Sequence, residues 1–161
     1  MIELAKARLT SLASQVEIVI GDFRQLQELI PGAGTIDVAF SAYALHHLSR
    51  ADKETVLGQV VELLVPGGWF VNADLIVADS PELESRLQEI RVTGIVERAH
   101  GSDKRFPDSA STRQFLADLE KNERDQPLTL AEDLELLRSS GLKNVSAFWL
   151  EYRELVSAGQ K

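Results

Sequence analysis

The chain has 161 residues, 44% of them hydrophobic and 26% charged, enough for one hydrophobic core and too few for two. A formal net charge of -8 argues against a nucleic-acid or anionic-membrane surface, and the absence of cysteine excludes disulfides and thiolate metal sites. No apolar run approaches the roughly 18 residues of a membrane span and no signal-peptide stretch opens the sequence, so a soluble, cytoplasmic protein is expected.

Ile2, Ala5, Leu9 and Leu12 recur at helical spacing, so the first residues predict an amphipathic helix. The β-branched run VEIVI at 16–20, closed by Gly21-Asp22, predicts a buried strand ending in a turn, and IDVAF at 36–40 predicts a second. After His46-His47-Leu48, Ser49 and Asp52 approximate a capping box for a helix whose apolar face holds Val56, Val60, Val61 and Leu64. Pro66-Gly67-Gly68 then suits a turn into a strand covering 69–77. Strand, helix and strand at this spacing form a βαβ crossover and therefore a parallel sheet, in which 16–20, 36–40 and 69–77 are expected to run together.

Further on, Ser80-Pro81-Glu82 starts a helix with a buried stripe of Leu83, Leu87 and Ile90. Residues 99–110 are poor in apolar side chains and read as a mobile loop or lid, with Lys104, Arg105 and nearby Arg98 forming a solvated basic cluster. A helix around 111–121 follows. TLAE at 129–132 carries a capping-box pattern for another, closed by Gly141. The end of the chain reads as an antiparallel hairpin that reverses near Tyr152-Arg153. One domain spans 1–161, with a helical insert or lid at about 78–143.

Ligands of a doubly wound sheet sit beyond the carboxyl ends of its strands, here Gly21-Asp22-Phe23, Ser41-Ala42-Tyr43 and Asn72-Ala73-Asp74. The Asp22 carboxylate is placed either to accept a hydrogen bond from an exocyclic amine or to cap the turn that follows. Adjacent histidines on a helix point about 100° apart, so His46 and His47 are not expected to serve one metal, and His47 reads as a polar helix start. Asp22, Asp74 and Asp79 lie far apart in sequence and read as surface acids, leaving no predicted metal site. Trp69, Trp149 and the phenylalanines sit in apolar strand contexts and are expected in the core.

GDF at 21–23 followed by IDVAFSAYALHHLS and the PGGWFVNADLIV strand resembles the second half of a class I S-adenosylmethionine (SAM) dependent methyltransferase. The resemblance implies an α/β fold, a Rossmann-like, mostly parallel sheet with a C-terminal antiparallel strand, taken from the family order 3-2-1-4-5-7-6. It implies SAM as cofactor, with Asp22 and Phe23 reading adenine, Ser41, Ala42 and Tyr43 lining the methionine and sulfonium end, and His46 bordering the reacting methyl. Asp37 is then mainly structural. Methyl transfer is a direct displacement, so no triad is expected, and Tyr43 or His46 serves as general base if the acceptor is a hydroxyl or amine.

The family's glycine-rich loop does not occur before Met1, where the resemblance implies one further βαβ unit, roughly 30 to 50 residues. Lacking the two central strands, 36–40 is expected to be an open edge through which the chain forms a homo-oligomer. The expected partner is otherwise a small-molecule methyl acceptor. Two alternatives are a catalytically silent interaction or dimerisation module of the same fold, and an unrelated receiver-like α/β domain, against which the terminal hairpin counts.

Overall fold

In the computed structural model, which describes residues 2–161, strand β1 (Ile36–Ala42) runs parallel to β2 (Leu64–Val77). The hairpin strands β4 (Lys143–Glu151) and β5 (Glu154–Gln160) complete the sheet in the order β1-β2-β5-β4, with β5 antiparallel to both its neighbours. A two-residue strand β3 (Leu128–Thr129) pairs with the end of β2. This is the order expected for the last four strands of the family sheet, and Tyr152 and Arg153 make the predicted reversal.

The crossover helix α3 (Arg50–Leu63) begins where the sequence places it, because the Ser49 hydroxyl accepts the Asp52 backbone N–H at 3.2 Å. Val56, Leu57, Val60 and Leu64 pack against Phe70 of β2 and against Leu136 and Leu137 of a later helix, α6 (Leu130–Ser139). That helix has both halves of its capping box: Thr129 accepts the Glu132 N–H, and Glu132 accepts the Thr129 N–H. Between α3 and β2, Pro66-Gly67-Gly68 forms a bulge within β2 rather than a separate turn before it. The pairing passes from Ile36–Leu64 directly to Val38–Trp69. Gly67 has φ 83°, and a Cβ on Gly68 would lie 2.9 Å from the Asp37 carbonyl oxygen, so side chains are shut out where the two strands approach.

Several expectations are corrected. Residues 16–20 form no strand and are exposed, because among the described residues β1 pairs with β2 alone, and an extended segment with no partner gains neither ladder bonds nor a face to bury. The first helix, α1 (Ile2–Arg8), buries none of its residues and gives way to a 3-10 turn at Thr10–Leu12, and the single-turn helix α2 (Leu26–Leu29) that precedes β1 buries none either. In α4 (Pro81–Ala99), capped by Ser80 as predicted, Leu83 is 50% exposed and the buried residues are Val92 and Ala99. Of the aromatic strand residues, Phe70 is core as expected, but Phe40, Phe148 and Trp149 are exposed, and the half-buried Trp69 meets Phe148 edge-on at 6.3 Å. Among the described residues, no helix is long and apolar enough to cross a membrane.

α4 and the next helix, α5 (Ser109–Glu123), stand over the carboxyl end of the sheet and are tied to it by Arg153. That side chain donates to the Ile76 carbonyl and pairs with Glu84 of α4 at 3.0 Å and Glu120 of α5 at 2.7 Å, while Arg91 also reaches Glu120. A buried guanidinium satisfied on several sides fixes both helices to the hairpin turn.

One buried carboxylate gives the fold a measurable pH dependence. Burial pushes the Asp133 carboxyl above its ordinary value of 3.8, while the Ser157 hydroxyl, which donates to it at 2.7 Å, and Lys53 pull the other way. A carboxyl that holds its proton more tightly when folded contributes stability below the unfolded pKa, and that contribution is lost as pH rises through the folded value. Asp133→Asn keeps an acceptor for Ser157, so it is expected to gain on the parent protein as pH rises from about 4 to 7. Urea unfolding of both proteins at the two pH values checks this, and a flat or opposite difference contradicts it.

Candidate active site

β1 ends at Ala42, and the next residue, Tyr43, has φ 46°, a strained conformation for a side chain of this size. Its N–H donates to the Ala73 carbonyl at 2.9 Å, which keeps the loop against β2 while the ring turns outward. The chain then enters a 3-10 turn, Leu45–His47, rather than a regular helix. Leu45 and His46 are buried there, and the two histidine rings lie 4.0 Å apart between centroids, inclined by 50°. The expectation that adjacent histidines diverge is therefore overturned, because it assumed helical geometry at these positions.

Asp74 is the partner that sequence reasoning missed. Far from being a surface acid, it is 6% exposed on β2. One oxygen accepts the His46 backbone N–H at 3.0 Å, and the other is hydrogen-bonded to His46 Nδ1 and accepts the Leu75 N–H at 2.9 Å. An ionised carboxylate only accepts, so Nδ1 carries the proton and the Nε2 lone pair is directed at the Asp125 carboxylate, 3.8 Å away. Burial alone depresses the imidazole's pKa. The hydrogen bond and charge of Asp74, reinforced by Asp125 and Glu123, outweigh it and leave the ring above its usual value of 6.5.

Asp125 is brought there by the end of α5. Arg124 closes that helix at φ 58°, and the Asp125 N–H returns to the Glu120 carbonyl at 3.0 Å. Gln126 N–H then donates to the His46 carbonyl at 2.6 Å, and the buried Lys53 ammonium bridges the Leu48 and Gln126 carbonyls at 2.8 and 2.5 Å. Lys53 thus clamps two backbone segments together, and burial lowers its pKa.

On the other side of β1 lies a cleft of about 490 Å³, mostly apolar, whose lining includes Phe23, Ser41, Ala42 and Leu45. Of the six residues predicted to hold the cofactor, the fold brings Phe23, Ser41 and Ala42 to this cleft. Asp22, Tyr43 and His46 do not line it. Among the described residues, the buried Ser41 Oγ in this lining has no hydrogen-bond partner, which fits a cleft built to receive a polar ligand. Asp22 caps the 3-10 turn Phe23–Gln25 by accepting the Arg24 N–H, and the Arg24 guanidinium grips its carboxylate at 2.5 to 3.0 Å. These bonds hold its pKa near 2. Both groups are solvent-exposed, so the pair is weak and its carboxylate can be exchanged to another donor.

Residues 1–68 match the family described as Methyltransferase domain. An uncharacterized methyltransferase of Geobacillus kaustophilus is 30% identical over 103 residues, 64% of this chain and 46% of that protein. One of Anoxybacillus flavithermus is 34% identical over 106 residues, 66% of this chain and 47% of its own. The solved structure of PigF with SAH covers 99% of this chain and 40% of its own, with a TM-score of 0.61 at 15% identity. The fold and the sequence match agree in direction: the chain is similar to class I SAM-dependent methyltransferases. The chain spans about half the length of the curated relatives it matches. The His46–Asp74 pair lies at the carboxyl ends of β1 and β2, the end at which such a sheet binds ligands.

Proposed function

We propose that the protein transfers a methyl group from SAM to a small-molecule acceptor bearing a hydroxyl or amine, and that His46 takes the acceptor's proton. The observation that carries this reading is the buried Asp74–His46 pair. It fixes one tautomer and presents the Nε2 lone pair at the carboxyl end of the sheet. When bound, SAM supplies the electrophilic methyl on its sulfonium. Phe23 would pack against the adenine, Ser41 and Ala42 would face the methionine and sulfonium end, and Asp22 would exchange Arg24 for the exocyclic amine. Asp74 holds the imidazole in place and stabilises its charge once the proton has moved. Tyr43 is the weaker of the two candidate bases, because burial and then the nearby Glu154 carboxylate push its phenol above 10. It acts as a hydrogen-bond donor at the exposed mouth of the site.

The test of the cofactor reading is titration of isotope-labelled protein with SAM up to millimolar concentration, followed by amide chemical shifts. The expected result is a saturating set of shifts centred on Phe23, Ser41 and Ala42, weakened by Asp22→Ala. Shifts that avoid these residues, or none at all, contradict the assignment.

A further inference from the structure

We infer that His46, His47, Glu123 and Asp125 form a binding site for one divalent transition-metal ion of the zinc class. One donor atom from each residue lies within 4.8 Å of all the others, the span of a single coordination sphere before a metal draws its ligands in. Two imidazoles and two carboxylates are a donor set that such ions accept, and one divalent cation balances their charge: two neutral rings and two negative carboxylates.

Three features separate this cluster from a chance gathering of polar side chains. First, His46 has the arrangement of a metal-ligating histidine, one ring nitrogen tied to a buried carboxylate and the other directed at the cluster. Second, the Asp125 side chain is only 8% exposed, yet its partners among the described residues are the two histidines, His46 Nε2 at 3.8 Å and His47 Nδ1 at 3.0 Å. A buried carboxylate requires a cation, and no lysine or arginine among the described residues is within 4.0 Å of it or of Glu123. A metal satisfies both rings as neutral ligands. Third, the arrangement is held from outside: Gln126 N–H on the His46 carbonyl and Lys53 on the Gln126 carbonyl pin the segment that carries Asp125 against the histidine turn. The ion has a path in, since the His47 and Glu123 side chains are 36% and 47% exposed while His46 and Asp125 form the floor.

A metal at this position takes the Nε2 lone pair of His46, so the loaded protein cannot use that nitrogen as a proton acceptor. The metal site does not depend on the cofactor assignment, and SAM titration reports on that reading separately. The experiment is calorimetric titration of the untagged, chelator-treated protein with Zn²⁺, paralleled by Co²⁺ followed through its visible absorption. Saturation at one ion per chain is expected, with the intense bands of a four-coordinate cobalt site. Loss of an outer-shell partner alone weakens metal sites about tenfold to a hundredfold, so removal of a direct ligand by His47→Gln or Glu123→Gln is expected to weaken binding by about a hundredfold. Asp125→Asn is expected to do at least as much. His47 and Glu123 face solvent, so their replacement leaves the core intact, which circular dichroism verifies. His100→Gln, away from the cluster, is expected to change nothing. No saturable binding, binding undiminished in both His47→Gln and Glu123→Gln, or equal loss in His100→Gln overturns the proposal.

Discussion

His46→Gln is expected to lower turnover about 10²- to 10⁴-fold with a hydroxyl or amine acceptor in metal-free protein, the usual contribution of a positioned general base. SAM affinity should stay close to that of the parent, because His46 does not line the cleft that holds Phe23, Ser41 and Ala42. The loss therefore falls on kcat, and single-turnover kinetics at saturating SAM separates it from binding. An unchanged kcat would show that the acceptor is nucleophilic without proton removal. Asp74→Ala goes further, because it strips a buried histidine of its partner and leaves the His46 and Leu75 backbone N–H groups without their acceptor. Breaking a buried pair in this way costs roughly 3 to 5 kcal/mol, so chemical denaturation should show a large drop in midpoint as well as lost activity. Asp74→Asn keeps an acceptor and should recover part of the stability while failing to restore the rate.

The chain on its own is expected to self-associate through the open side of β1. Phe40 is 77% exposed and Val38 42%, and in the β1–β2 register they pair with Val71 and Trp69, so their side chains share one sheet face. Phe148, 62% exposed, extends this apolar surface on β4. Among the described residues the backbone edge of β1 has no strand beside it on the side away from β2, so an added chain gains ladder hydrogen bonds as well as apolar contact. A stable association of this kind buries at least about 1,000 Å² in total. Sedimentation at micromolar concentration is expected to show a dimer or larger species, and Phe40→Asp to shift it to monomer. Since Phe40 is largely in water in a single copy, that substitution should alter folding stability by no more than about 0.5 kcal/mol. A parent protein that sediments as a monomer contradicts the prediction.

Local chemistry was legible from the residues themselves. The Ser49 and Ser80 caps, the Thr129–Glu132 box, the parallel β1–β2 pairing and the reversal at Tyr152-Arg153 all appear where the sequence puts them. Each depends on side chains within a few positions of one another or on an apolar period, and so is fixed before the chain closes on itself. The match of GDF and the LHHL run to the methyltransferase pattern likewise needed no coordinates.

What depended on distant partners was decided only by the tertiary structure. Val16–Ile20 has strand composition but no strand, because a ladder needs a neighbour and composition does not supply one. The apolar runs containing Phe40 and Trp149 promised burial, but exposure is set by what covers a sheet face, and there nothing covers them fully. Asp74 and His46 are 28 residues apart, and Asp125 and His47 are 78 apart. Neither pairing leaves a trace in local spacing. They meet because β2 carries Asp74 under the histidine turn and the left-handed close of α5 turns Asp125 back onto it, a juxtaposition made by the path of the backbone rather than by any motif.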